Sequence, residues 1–199
     1  MQSGGEQPIS AEAGVAMTPG AAPVAMPFYD ALELQPHLSV DAADLQQRFY
    51  ARSRQWHPDR YTRASAEEQQ KSLDMTALLN DAFRTLRDPI TRAEYFLKQH
   101  QIELGKEVPP ELLEEVFELN MALDELRGGD ESVRSQLTEA GTRFTGMRQE
   151  LDVFLNALAV KYDDHPTQAV LEEVRAALNR RRYISNLIHS VEAELKPKA

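Results

Sequence analysis

Apolar residues recur every three to four positions along most of the chain, while runs that alternate apolar and polar residues are scarce. Recurrence at this spacing is typical of helices, and alternation is typical of strands. The pattern therefore predicts an all-α fold. Gly- and Pro-rich segments divide it, so we expect a disordered tail at 1–26, a first helical domain at 27–100, a linker at 101–110 and a second domain at 111–196.

Prolines bound the helices of the first domain. Ser39 is predicted as the N-cap of a helix that Pro58 ends, because proline disfavours helical geometry at the residue before it. Asp88-Pro89 combines a good N-cap residue with proline at the first helical position, which predicts another helix start. The predicted elements are a turn at 28–34 and helices at about 41–57, 67–87 and 89–100, a helical hairpin with short flanking helices.

Three apolar seams in the second domain predict three helices joined by short loops, which fold as an antiparallel bundle. The first seam runs from Leu112 to Leu126, and the third runs from Val170 to Leu195 with Arg181 as its one polar break. The second seam advances in alternating steps of four and three residues through Val133, Leu137, Ala140, Phe144, Met147, Leu151, Phe154 and Leu158.

The first of these helices has a second apolar stripe, roughly 140° from its seam, formed by Leu113, Phe117 and Met121. Only one face of the helix can pack into the bundle. Acidic residues flank the stripe, among them Glu114, Glu118 and Glu125. An apolar stripe edged by carboxylates is typical of a docking surface for another protein. The alternative interpretation is that the stripe packs on the first domain and is buried between the two domains.

The chain has 32 acidic and 22 basic residues, a formal charge of −10, and no cysteine. The negative charge argues against broad nucleic-acid binding, which needs basic side chains to neutralise phosphates. The lack of cysteine excludes disulfides, thiolate metal sites and a cysteine nucleophile on this chain. The histidines outside the motif below are scattered, so no metal or cofactor site is predicted. Because the N-terminal segment lacks the basic flank of a signal peptide and no run spans a membrane, we expect a cytoplasmic protein.

Basic residues gather at one place, where Arg48, Arg52 and Arg54 precede the run Trp56-His57-Pro58-Asp59-Arg60. Pro58 fixes the direction of the loop, which presents the His57 ring and the Asp59 carboxylate to charged groups of another protein. The arginines are suited to steer association with an acidic surface. Two other interpretations are open. One is a catalytic His57–Asp59 dyad, although no nucleophile or metal-ligand cluster accompanies it, and the other is a helix stop in which His57 caps the last carbonyls.

A His-Pro-Asp loop between two amphipathic helices is the layout of a J-domain, and residues 28–100 resemble that family. The resemblance runs through Phe28-Tyr29, His57-Pro58-Asp59, Leu86-Arg87-Asp88-Pro89 and Arg92-Ala93-Glu94-Tyr95. With the linker and the acidic bundle included, residues 28–195 resemble the HscB family, the J-domain co-chaperones of iron–sulfur cluster biogenesis. Leu119 and Leu123-Asp124-Glu125 fit that family, whereas Glu114 and Met121 depart from it, since the family commonly has Met and Glu there.

The resemblance implies a non-enzymatic protein with two partners and no cofactor or metal. In J-domains the loop and the arginines engage a DnaK-type ATP-driven chaperone, here of the HscA type, and raise its ATPase rate. This assigns chaperone binding to His57, Pro58, Asp59, Arg48, Arg52 and Arg54. In HscB proteins the first bundle helix and an aromatic residue of the last helix bind the scaffold IscU. This assigns scaffold binding to Leu113, Glu114, Phe117, Glu118, Met121, Glu125 and Tyr183. A J-domain adaptor for another client, and a structural adaptor that self-associates through the stripe, are the alternatives.

Overall fold

The computed structural model describes residues 24–105 and 108–196, and within these ranges the chain forms helices, turns and loops with no strand. This confirms the all-α prediction. The helices are α1 (Pro27–Ala31), α2 (Ala42–Gln55), α3 (Ala66–Arg87), α4 (Pro89–Gln99), α5 (Leu113–Arg127), α6 (Arg134–Asp164) and α7 (Gln168–Leu195). Short 3₁₀ turns lie at Pro58–Tyr61, Pro110–Leu112 and Glu131–Val133. None of these helices combines the length and the apolar character needed to cross a bilayer.

In the N-terminal half (α1–α4), side-chain caps fix where α2, α3 and α4 begin. The N-cap of α2 is Asp41, whose carboxylate accepts a hydrogen bond of 2.7 Å from a main-chain N–H in the first turn. The prediction of Ser39 as this cap is wrong, because the Ser39 hydroxyl donates instead to Asp163 in α6. The predicted start at Asp88-Pro89 is confirmed, since the Asp88 carboxylate accepts two main-chain N–H bonds of 2.9 Å in the first turn of α4.

The core of the N-terminal half lies between the antiparallel helices α2 and α3, with α1 packed on α3. The rings of Phe49 and Phe83 stack across this hairpin with centroids 4.3 Å apart. Tyr29 of α1 is fully buried, and its hydroxyl donates to the carbonyl of His37 at 2.7 Å. Burial raises the pKa of Tyr29 far above its ordinary value, so this hydroxyl remains a donor.

The predicted tail needs one correction at its C-terminal end. Met26 was expected to belong to the tail, but its side chain is buried, with 4% of its surface exposed. Its apolar side chain packs in the core with α1. Residues 1–23 of the predicted tail lie outside the described residues.

The C-terminal bundle (α5–α7) has the predicted three-helix topology. Helices α6 and α7 run antiparallel, since their ion pairs connect residues in reverse order, Asp152 with Arg181 and Lys161 with Glu173. Helix α5 runs in the same direction as α7, since their ion pairs keep the order, Glu111 with Arg180 at 3.9 Å and Arg127 with Glu194 at 2.6 Å. Up–down–up packing of this kind buries one apolar face of each helix.

The predicted seam of α6 is right at its start and wrong at Phe154. The Phe154 side chain is 48% exposed, whereas its neighbour Leu155 is 6% exposed and takes the place in the core. The seam then continues through Leu158 and Tyr162, both buried. A straight helix drifts relative to a strict seven-residue repeat, and a second successive step of four residues restores the alignment over 31 residues of α6.

The N-terminal half is held to the bundle by the carboxylate of Asp163, at the end of α6. It accepts hydrogen bonds from the main-chain N–H groups of Leu38 at 2.8 Å and Ser39 at 2.7 Å, and also from the Ser39 hydroxyl. The Asp163 side chain is only 9% exposed. We call this set of bonds the Asp163 clamp.

Arg92 holds the Leu38 segment in place beside the clamp, and two aromatic rings complete the contact between the two halves. Arg92 is buried, and its Nε donates to the carbonyl of Leu38 at 2.7 Å. Burial lowers the pKa of the guanidinium from its ordinary value, and the nearby Asp163 carboxylate opposes that shift. The ring of Phe96 in α4 meets that of Tyr162 in α6 edge-on, with centroids 5.4 Å apart.

Candidate partner-binding surfaces

Two hydroxyl groups of α3 anchor the start of the loop that follows α2. The carbonyl of Trp56, the C-cap of α2, accepts hydrogen bonds from Ser72 Oγ at 2.7 Å and Thr76 Oγ1 at 3.1 Å. Ser72 is fully buried at this point. The Trp56 ring stacks on Tyr61 with centroids 6.0 Å apart, and the Lys71 ammonium lies 5.7 Å from its centroid. The residue before His57 is therefore fixed by main-chain and ring contacts.

His57, Pro58 and Asp59 project from this anchored position. The His57 side chain is 58% exposed and the Asp59 side chain is 87% exposed. His57 has extended backbone geometry, and its Nδ1 accepts a hydrogen bond of 3.3 Å from the Asp59 main-chain N–H, so it caps the Pro58–Tyr61 turn. The interpretation in which His57 caps the last carbonyls of α2 is therefore wrong. The ring and the carboxylate remain accessible to another protein.

The structure gives no support to a catalytic dyad. His57 Nδ1 and Asp59 Oδ2 are 3.6 Å apart, and both side chains are open to solvent. Within residues 24–105 and 108–196, no group of three or more His, Asp or Glu side chains could hold a metal ion. An exposed pair with no nucleophile beside it does not form a site for nucleophilic catalysis.

The three arginines before the loop differ in what they contact. Arg48 is paired with a carboxylate four residues earlier in α2, and it also donates to the carbonyl of Glu33. Arg52 donates to the carbonyl of Ala31 at 3.0 Å and pairs with the Glu33 carboxylate at 2.9 Å, and its side chain is 17% exposed. Arg54 is exposed and makes no hydrogen bond or ion pair with the rest of the described chain. Arg54 is therefore the cation of the three that is most available to a partner.

Sequence reasoning missed one candidate on the same helix. Tyr50 is 51% exposed and lies one turn before Arg54, so the two share the outer face of α2. The signal was present in the sequence, because Tyr50 lies off the face of α2 on which Leu45 and Phe49 pack against the core. An exposed tyrosine beside an available arginine is a composition enriched at protein interfaces. Arg60 and Arg63, next to the loop, are also exposed.

The second apolar stripe of α5 is exposed. Leu113, Phe117 and Met121 are 56%, 66% and 50% exposed, and we call these three residues the α5 stripe. The interpretation that buried the stripe between the two domains is wrong, because the stripe is exposed and the contact between the halves is made by residues 38–39 and α4 with the end of α6 and the start of α7. The acidic residues that flank the stripe are exposed as well: Glu114, Glu118 and Glu125.

Tyr183 lies in α7 at the same end of the bundle as the start of the α5 stripe. The Glu111–Arg180 pair brings the beginning of α5 to within one turn of Tyr183, and α5 and α7 run in the same direction. Tyr183 is half-buried and packs against the core. All seven residues of the predicted scaffold-binding set thus lie on α5 and α7, with Tyr183 one helical turn after the partner of Glu111.

Two family models match adjoining parts of the chain. The DnaJ domain matches residues 27–95, which contain α1 to α4 up to Tyr95. The model described as the HSCB C-terminal oligomerisation domain matches residues 108–192, which contain α5, α6 and most of α7.

Similar proteins and solved structures agree with these models. A co-chaperone protein HscB homolog of Neisseria meningitidis is 33% identical over 108 residues, which is 52% of this chain and 65% of that relative, slightly under two thirds of its length. A homolog of Shewanella halifaxensis is 29% identical over 75% of this chain and 88% of the relative. The chaperone HscB of Vibrio cholerae superposes with a TM-score of 0.59 at 26% identity, covering 84% of this chain and 96% of that structure. The human co-chaperone protein HscB superposes with a TM-score of 0.61 at 26% identity, covering 89% of this chain and 84% of that structure.

Proposed function

The chain belongs to the HscB family, and on this basis we propose that it is a co-chaperone of iron–sulfur cluster assembly and transfer. It binds an IscU-type scaffold protein and stimulates the ATPase of an HscA- or DnaK-type chaperone. The observation that carries the proposal is the presence, on one chain, of the exposed His57-Pro58-Asp59 loop and the exposed, acid-flanked α5 stripe. The protein acts by binding and performs no chemistry itself.

Chaperone binding is assigned to the His57-Pro58-Asp59 loop and to Arg54. The exposure of the ring and the carboxylate supports this, because both can form charge-assisted hydrogen bonds with a partner. Arg48 and Arg52 contribute positive potential to the same surface. Their guanidiniums are bonded to residues 31–33, at the end of α1, so their main role is to hold that segment against α2.

The test of chaperone binding is the single-turnover ATPase rate of the partner chaperone with wild-type protein and with Asp59→Asn. We expect Asp59→Asn to lose the stimulation, since it removes the charge at the exposed tip of the loop. Asp74→Asn is the matched control, because Asp74 is an exposed carboxylate on α3 outside the loop. Equal stimulation by wild type and Asp59→Asn would refute the assignment.

Scaffold binding is assigned to the α5 stripe, its flanking carboxylates and Tyr183. Exposed Leu, Phe and Met side chains with an acidic rim are suited to a partner that presents apolar residues among basic ones. We expect Phe117→Ala to weaken scaffold binding by about 1 kcal/mol or more, because Phe117 is the most exposed anchor of the stripe.

Titration calorimetry with the scaffold protein measures this loss directly. Val160→Ala is the matched control, since Val160 is 52% exposed on α6 and lies outside the stripe. Phe117→Ala should also leave chaperone stimulation unchanged when no scaffold is present. An unchanged scaffold affinity would show that the stripe does not bind the scaffold.

Binding both partners on one chain raises the effective concentration of the scaffold at the chaperone. The bound scaffold protein and the His57-Pro58-Asp59 loop together then favour the hydrolysing state of the chaperone ATPase. This is a coupling between two binding events. Removing either surface should abolish the synergy and leave the other binding event intact. The double variant, Asp59→Asn with Phe117→Ala, should combine the loss of chaperone stimulation with the weakened scaffold binding.

A second candidate function is favoured by two observations. The α5 stripe is exposed, and the family that matches the C-terminal bundle is described as an oligomerisation domain. In this alternative, two copies of the bundle associate through the stripe and the protein is a structural adaptor. Sedimentation separates the two functions, since only the adaptor predicts a stable homo-oligomer that Phe117→Ala dissociates. A J-domain adaptor for another client predicts a monomer that stimulates the chaperone but does not bind the scaffold.

A further inference from the structure

A second apolar surface of the bundle lies beside and beyond the start of α5. It is a groove of about 470 Å³ between α6 and α7. The groove exists because α5 begins at Leu113 and does not extend to the end of the α6–α7 hairpin, whose turn lies near residue 165. Over this stretch the third helix of the bundle no longer covers the hairpin, so apolar side chains reach the surface.

Phe154 is the main apolar residue of the groove. Its side chain is 48% exposed, since Leu155 occupies the core position that the repeat assigned to Phe154. Met147 and Leu151 of α6 and the alanines at 176 and 177 of α7 form the rest of the apolar wall. An exposed phenylalanine at the mouth of a groove of small and flexible side chains is a typical anchor position for a partner.

The rim of the groove is charged and mostly negative. Among the described residues, Glu111, Glu150 and Glu173 line it, with Arg180 as the one cation. Glu173 is paired with a lysine of α6, whereas Glu150 has no ion-pair partner in the described part of the chain. The Nε atom of Arg180 is buried and has no hydrogen-bond partner among the described residues. The charges therefore favour an occupant with an apolar side chain beside Lys or Arg.

The groove also adjoins the scaffold-binding set on both helices that carry it. Glu111 precedes Leu113 by two residues, and Arg180 precedes Tyr183 by one helical turn. The α5 stripe has the same character as the groove, exposed apolar side chains flanked by carboxylates. A partner that covers Leu113 and Tyr183 reaches the mouth of the groove without crossing an unrelated surface.

We propose that the groove extends the scaffold-binding surface and receives a segment of the same scaffold protein, one that carries an apolar side chain next to Lys or Arg. The proposal rests on the proposed scaffold binding and names two further contact residues, Phe154 and Glu150. Phe154 supplies the apolar anchor and Glu150 selects the basic neighbour.

The test is titration calorimetry of the scaffold protein against the full chain and its variants. Phe154→Ser and Glu150→Lys should each weaken binding by about fivefold or more. Val153→Ser is the matched control, because Val153 is the adjacent exposed residue, 71% exposed, and does not line the groove. Glu150→Lys changes an exposed carboxylate, so it tests the groove even if Phe154→Ser impairs folding.

Phe117→Ala is measured in parallel and separates failure of the inference from failure of the proposed function. Unchanged affinity in Phe154→Ser and Glu150→Lys, with a loss in Phe117→Ala, would overturn the groove contact alone. No loss in any of the three variants would overturn the assignment of scaffold binding to the α5 stripe as well. A wild-type dimer that Phe154→Ser converts to monomer would assign the groove to a second copy. A gain in scaffold affinity on deletion of residues 1–23 would show that this segment occupies the groove.

Discussion

Replacing Asp163 with alanine should loosen the N-terminal half from the bundle. The Asp163 carboxylate accepts three hydrogen bonds from Leu38 and Ser39, at 2.8 and 2.7 Å for the two main-chain donors, and it is 9% exposed. The Leu38 N–H is left without a partner in the variant, and an unsatisfied buried donor costs about 1–3 kcal/mol. Ser39 is exposed, so in the variant water accepts the hydrogen bonds that Ser39 donated to Asp163 and offsets most of their loss. We expect a total loss of about 2–4 kcal/mol in the free energy of unfolding.

Chemical denaturation measures this loss, and hydrogen exchange of the Leu38 amide reports the clamp itself. Asp163→Asn should lose less than Asp163→Ala, since its amide oxygen still accepts one main-chain bond. Asp164→Ala is the matched control, because Asp164 is the next residue and is exposed without a bond to the N-terminal half. The reasoning is refuted if Asp163→Ala unfolds with the stability of Asp164→Ala and the Leu38 amide keeps its protection.

Three further changes probe the fold elsewhere. Ser72→Ala removes a buried hydroxyl from the Trp56 carbonyl and should cost about 1–2 kcal/mol in urea unfolding, with reduced chaperone stimulation because the loop loses an anchor. The hydrogen bond from Ser65 lowers the pKa of Glu68 below its ordinary value of 4.5. The contribution of Glu68 to folding stability is therefore present above pH 4.5 and is lost as the pH falls through the lowered pKa of the folded state. Glu68→Gln should remove this part of the acid dependence of thermal unfolding. Gly146→Ala should stabilise the protein by about 0.5–1 kcal/mol, since a Cβ there meets no atom within 4 Å, and a lower Tm would contradict this.

Local signals predicted the parts of the fold that local chemistry determines. Asp88-Pro89 marked the start of α4, and Pro58 marked the end of α2, because caps and proline act on neighbouring residues. The exposed loop at His57 and Asp59 followed from the same reasoning. The residues of the α5 stripe were placed on one face by periodicity alone, and the structure leaves that face uncovered.

Long-range contacts were out of reach of sequence patterns. The hydroxyl of Ser39 was predicted to cap α2, but it bonds to Asp163, which is 124 residues away and carries no local signal. The guanidinium of Arg52 was expected to face a partner, yet it is bonded to residues 31–33 at the end of α1. Phe154 was misplaced because a strict repeat does not reveal where a helix inserts an extra step of four residues.

The Asp163 clamp has a consequence for which pairs of partners can be bound together. Because a direct contact joins the two halves, the angle between the His57-Pro58-Asp59 loop and the α5 stripe is set by packing and not by the linker. A chaperone and a scaffold that would overlap at this angle cannot be bound at the same time, even if each binds well by itself. The contact thus selects partners by shape in addition to affinity, and lengthening the linker would not relax that selection while the clamp holds.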